Sequence, residues 1–113
     1  MKVLFGLNKK DMYNARNTAI KCEEIIDAVV KIEGIGIYED DVENKETHEV
    51  ERKEITCIKL SNGVIVASPS STLRDSATSL FDTFGEEEIK DLDIKIVYRK
   101  SNNGRKFLTI ELV

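Results

Sequence analysis

Apolar residues recur along this chain at two spacings, and the change from one to the other marks the predicted elements. From Ile25 the run IIDAVVKIEGIGIYED is rich in β-branched side chains and interrupted by Gly34 and Gly36. That composition predicts a long strand bent or bulged at its glycines, because a helix through Val29, Val30, Gly34 and Gly36 is disfavoured at each of them. EITCIKL then sets Ile55, Cys57 and Lys59 against Thr56, Ile58 and Leu60, and SNG leads directly into VIVAS. Two strands joined through Asn62-Gly63 follow, since both residues tolerate the positive φ of tight hairpin turns.

Pro69 ends that strand, and Leu73, Ala77, Leu80, Phe81 and Phe84 succeed it at steps of 4, 3, 1 and 3 residues. These form one face of a helix that Gly85 stops. Ser70, Ser71 and Thr72 offer caps, and Thr72 with Asp75 fits a capping box in which Asp replaces the preferred Glu. Beyond the acidic EEEIKDLD, two strands, DIKIVYRK and RKFLTIELV, are joined by SNNG. Leu108, Ile110 and Leu112 line one face of the last strand, and Phe107, Thr109 and Glu111 line the other.

The resulting order, β-β-β-α-β-β, is that of an OB-fold, a five-stranded Greek-key barrel with one helix between strands 3 and 4. The expected fold class is therefore mainly β, in a single OB-like domain over residues 1–113. Residues 1–20 match no strong pattern and read as an N-terminal arm, in which Val3, Leu4, Phe5 and Leu7 gain most by packing on a neighbouring copy. Residues 39–54 read as an acidic loop.

Length and composition narrow the class. At 113 residues folding removes roughly two-thirds of the unfolded chain's surface from water, enough for one core without metal or disulfide. Cys22 and Cys57 stand in unrelated segments without CxxC spacing, which predicts reduced thiols. No window approaches the roughly 20 apolar residues of a membrane span, so a cytoplasmic location with no membrane partner is expected.

The net charge of −4 argues against a nucleic-acid ligand only as an average. Residues 39–54 hold eight acids and three bases; removing them from 21 acids and 17 bases leaves 13 and 14. From Ile94 to Ile110 there is no acid, while Lys95, Arg99, Lys100, Arg105 and Lys106 supply five positive charges. A small acidic protein can thus present one basic face.

The stretch EITCIKLSNGVIVASPSSTLRDSATSLFDTF followed by IKIVYRKSNNGRKFLTIEL resembles the single-stranded DNA-binding proteins of small Bacillus phages that replicate linear genomes by protein priming. The shared parts are the apolar strand before an Asn/Asp-Gly turn, the Ser/Thr-rich helix start with Ala77 and Leu80-Phe81-Asp82, and the closing S-x-x-G hairpin. The resemblance implies a non-sequence-specific protein that coats and protects displaced strands during phage DNA replication, in the host cytoplasm. It also implies base-stacking aromatics in the first three strands, where this chain has only Tyr38.

A single strand bound without sequence readout needs cations along its phosphates and flat side chains under its bases. The candidate binding residues are Tyr38, Lys59, Tyr98, Arg99, Lys100, Arg105, Lys106 and Phe107, with single-stranded DNA the expected partner and a second copy or replication proteins as further ones. No cofactor and no metal is expected. Catalysis finds no support: His48 lies in the acidic run, the serines near Ser70 lack a G-x-S-x-G turn, and the carboxylate pairs sit in charge runs. The competing class is a protein-interaction module or phage regulator that acts through residues 39–54.

Overall fold

The computed structural model describes residues 1–113. Its elements are β1 (Lys2–Phe5), α1 (Lys9–Asn17), β2 (Ile20–Lys21), a 3-10 turn at Cys22–Ile25, β3 (Ile32–Glu43), β4 (Val50–Leu60), β5 (Ile65–Ser68), α2 (Ser71–Asp91), β6 (Ile94–Lys100) and β7 (Lys106–Leu112). Both predicted hairpin turns form, and they share one design. Leu60 N donates to Val64 O and Gly63 N to Leu60 O; Ser101 N donates to Arg105 O and Gly104 N to Ser101 O. In each three-residue loop only the glycine has positive φ, +88° at Gly63 and +82° at Gly104. Asn62 instead stays at negative φ and its Oδ1 accepts from Val64 N.

The first predicted strand begins later than expected. Strand pairing starts at Ile32 and continues to Glu43, with a bulge between Ile32 and Gly34. Gly34 is required for a second reason: a Cβ there would lie 2.8 Å from Gly6 O, where the β1–α1 connection crosses. Helix α2 is capped by Ser70, whose Oγ accepts from Leu73 N at 3.2 Å. Thr72 forms no capping box because its hydroxyl is used elsewhere. Gly85, at φ +77°, breaks the helix as expected, but the chain turns helical again and buries Ile89 in the core.

The sheet β1-β3-β4-β5-β2 has five strands, and β6-β7 forms a separate two-stranded sheet. Alternation along β3, β4 and β5 gives the larger sheet two apolar faces. Ile35, Ile58, Leu60 and Val66 pack with Leu73 and Ala77 of α2 and with Ile94, Ile96 and Leu108 of the β6–β7 hairpin. On the opposite face Tyr38, Ile55, Cys57 and Ile65 pack with Ala15 of α1.

The architecture is mainly β with two helices, and it is not the closed barrel expected. Three of the pairings an OB barrel needs run through β3–β4, β4–β5 and β6–β7. A fourth is a bridge in which Val30 and Ile94 exchange two backbone hydrogen bonds of 2.9 Å. Closure between β5 and β7 is prevented on both sides. The edge of β5 is taken by β2, parallel at Ile20–Val66 and Lys21–Ala67. The edge of β7 is taken by α2, where Thr72 Oγ1 donates to Leu108 O at 2.8 Å and Ser76 Oγ accepts from Ile110 N at 2.9 Å.

Residues 1–20 do not form a projecting arm. β1 pairs with β3, and Phe5 stacks on Phe81 with ring centroids 5.1 Å apart, so the apolar side chains expected to seek a neighbour are used within the chain. Nor are residues 39–54 a loop. They extend β3 and β4 as a paired ribbon closed by a turn at Asn44–Glu49. At the Val30–Ile94 bridge the chain entering β3 runs antiparallel to the start of β6. The acidic ribbon and the tip of the β6–β7 hairpin therefore leave that point in opposite directions.

Candidate nucleic-acid interface

The register Ile94–Leu112, Ile96–Ile110, Tyr98–Leu108 and Lys100–Lys106 places these residues on one face of the β6–β7 hairpin. In its lower part Ile94 and Ile96 belong to the core and Ile110 packs half-buried against it, while Leu112 at the chain's end is exposed. Its upper part leaves the core at Tyr98, which is 39% exposed, and ends in Lys100 opposite Lys106. Lys106 Nζ lies 5.7 Å from the centre of the Tyr98 ring, a cation–π distance. Arg105 stands beside them at the turn, exposed like both lysines. Directly opposed like charges repel across a pair of strands. None of Lys100, Arg105 or Lys106 is in an ion pair, so the tip carries uncompensated positive charge around a partly open aromatic ring.

The other face of the hairpin differs. Arg99 is gripped by Glu111, with Nε 2.6 Å from Oε2 and Nη2 against Oε1. Phe107, its cross-strand neighbour, points away from the core face, as alternation predicted, and is half-buried.

Tyr38 and Lys59 lie on the far face of the larger sheet, against α1. Tyr38 is 7% exposed and its hydroxyl donates to Ala15 O at 3.1 Å; burial first, then the nearby Cys57 and Asp40, push its phenol above the ordinary tyrosine range. Lys59 Nζ is held 3.2 Å from Asp11 Oδ2. The structure thus gathers Tyr98, Lys100, Arg105 and Lys106, turns Arg99 and Phe107 to the reverse side, and sets Tyr38 and Lys59 beneath a helix.

A groove of about 1050 Å³ runs between the end of α1, the stem of the β3–β4 ribbon and α2, and sequence reasoning did not find it. Lys2, Arg16, Arg52 and Arg74 line it together with Glu39, Glu54, Asp75 and Asp82. These residues come from five elements, β1, α1, β3, β4 and α2, that only tertiary packing brings together, and no local pattern announces them. No group of three or more His, Cys, Asp or Glu side chains converges in a way that holds a metal ion. No helix is long and apolar enough to cross a membrane.

The family model described as phage single-stranded DNA-binding protein matches residues 8–113. No curated protein and no solved structure matches the chain.

Proposed function

This chain belongs to the phage single-stranded DNA-binding protein family, and from that premise we propose that it coats displaced single strands during phage DNA replication, gripping them at the tip of the β6–β7 hairpin. The observation that carries this reading is the Lys100–Lys106 pair. Two unpaired ammonium groups face each other across the strands with the Tyr98 ring between them and the core. A phosphate between the two lysines relieves their repulsion, and a base on Tyr98 contributes stacking of about 1 to 3 kcal/mol. Such contacts recognise the backbone and the π-face common to all bases, so binding is independent of sequence. Duplex DNA keeps its base faces stacked and offers only the phosphates.

We read β3 to β7 as an opened OB layout, supported by the antiparallel Val30–Ile94 bridge and the three strand pairings around it. In that layout the acidic ribbon points away from the hairpin tip, which leaves the tip accessible to a polyanion despite the net charge of −4. The test is a titration with oligo(dT) and with a duplex of equal length at several salt concentrations. Saturable binding to oligo(dT), tighter than to duplex, weakened by salt and accompanied by tyrosine quenching is the expected result. Equal affinity for both, or no binding at low salt, would refute it.

A further inference from the structure

Apart from the hairpin tip, a cation free of carboxylates and set against an aromatic ring occurs in the groove between α1, the ribbon stem and α2. Arg16, in the last turn of α1, lays its guanidinium over the Tyr38 ring with Cζ 5.1 Å from the ring centre. Tyr38 is fixed from below by its hydroxyl, which donates to Ala15 O one residue before Arg16. Arg16 itself is exposed. The guanidinium is thus within cation–π reach of the ring while the residue stays open to solvent.

The charges of the groove are sorted. Arg52 holds Glu39 at 3.4 Å, and Arg74 holds Glu54 at 3.3 Å and Asp75 at 3.6 Å. Neither Arg16 nor Lys2 is in an ion pair. Of the acids lining the groove only Asp82, on the α2 wall, is uncompensated. The end formed by β1 and α1 is thus cationic, and the α2 wall limits an anion to that end.

We propose that Arg16 is a stacking platform for a nucleobase of single-stranded nucleic acid, with Tyr38 as the positioning residue beneath it and Lys2 taking the adjacent phosphate. A guanidinium drawn toward an aromatic ring loses little further entropy on binding, and its exposed plane stacks on a base as an aromatic side chain does. This inference rests on the reading of the chain as a single-strand binder and adds a second contact, on another side of α2 from the Thr72 and Ser76 hydroxyls that hold β7. It also gives the buried Tyr38 a part in binding that needs no exposed ring.

The experiment compares the full-length chain with Arg16→Ala, Arg16→Lys and the double variant Lys100→Ala/Lys106→Ala, by fluorescence anisotropy on labelled oligo(dT), with thermal unfolding to confirm that each folds. Arg16→Ala is expected to bind about tenfold more weakly, the scale of one lost stack. Arg16→Lys keeps the charge, and hence the salt dependence, but stays several-fold weaker than wild type because an ammonium has no plane to stack. Wild-type affinity in Arg16→Ala, or full recovery in Arg16→Lys, overturns the proposal. If wild type does not bind oligo(dT), the parent reading fails. If wild type binds and only the hairpin variant is weakened, the parent reading stands and this inference alone falls.

Discussion

Lys59 Nζ lies 3.2 Å from Asp11 Oδ2 and ties the start of α1 to the end of β4. Asp11 is 7% exposed, and its other role is reciprocal capping of α1 with Asn8. Removing Lys59 leaves a largely buried carboxylate without its charged partner. Lys59→Ala is therefore expected to lower stability by about 1 to 2 kcal/mol in urea unfolding. Its affinity for oligo(dT) should change by less than about twofold, because this lysine is already occupied. A large loss of binding without loss of stability would return Lys59 to the DNA track that its position on the second predicted strand suggested.

The hairpin tip separates charge from stacking. Lys100→Ala, Arg105→Ala and Lys106→Ala should each flatten the dependence of log K on log salt by about 0.7, the single-strand value for one phosphate contact. Tyr98→Ala should weaken binding by about 1 to 3 kcal/mol and leave that slope unchanged. A Tyr98→Ala variant with an altered slope and wild-type affinity at low salt would mean that the ring only positions Lys106.

Much of the β3-to-β7 frame was legible because it is written locally. Leu73 to Phe84 carry a helical period, Gly63 and Gly104 sit where a turn needs positive φ, and Leu108, Ile110 and Leu112 alternate. What was not legible depends on partners distant in sequence. Thr72 reads as a capping residue until Leu108 O, 36 positions away, takes its hydroxyl. Phe5 reads as part of an arm until Phe81 is found beneath it. The same holds for the site. Alternation turned Phe107 away from the core face correctly, yet nothing near Arg99 in sequence predicts Glu111 as its partner, and nothing near Arg16 predicts Tyr38.

Burial raises the Cys22 thiol to about 12 and the Cys57 thiol to about 11, from an ordinary value of 9.0. Both groups favour the protonated form in the fold, so their contribution to stability is complete below pH 9 and is lost as pH rises through 11 and 12, when the unfolded chain ionises first. Stability measured in urea should fall between about pH 9 and pH 11, and Cys22→Ala/Cys57→Ala should flatten that fall. At pH 8 neither thiol should react with a thiol-specific reagent until the protein unfolds, since the thiolate is the reactive form.

The acidic ribbon gives the last prediction, which turns on distance. β3 extends 12 residues from Ile32 to Glu43, away from the Val30–Ile94 bridge, and β6 runs the other way to Lys100. At roughly 3.3 Å per residue, the ribbon turn and the hairpin tip are separated by well over the 8 Å Debye length of physiological salt. Neutralising the turn with Glu43→Gln, Glu46→Gln and Glu49→Gln should then alter oligo(dT) affinity by less than about twofold at 0.15 M salt. At 0.01 M, where the Debye length grows to about 30 Å, the same variant should gain measurably more, though still modestly, because the separation exceeds even that length. A gain of similar size at both salt concentrations would place the ribbon against the bound strand, and the two hairpins would then have to bend toward each other when DNA binds.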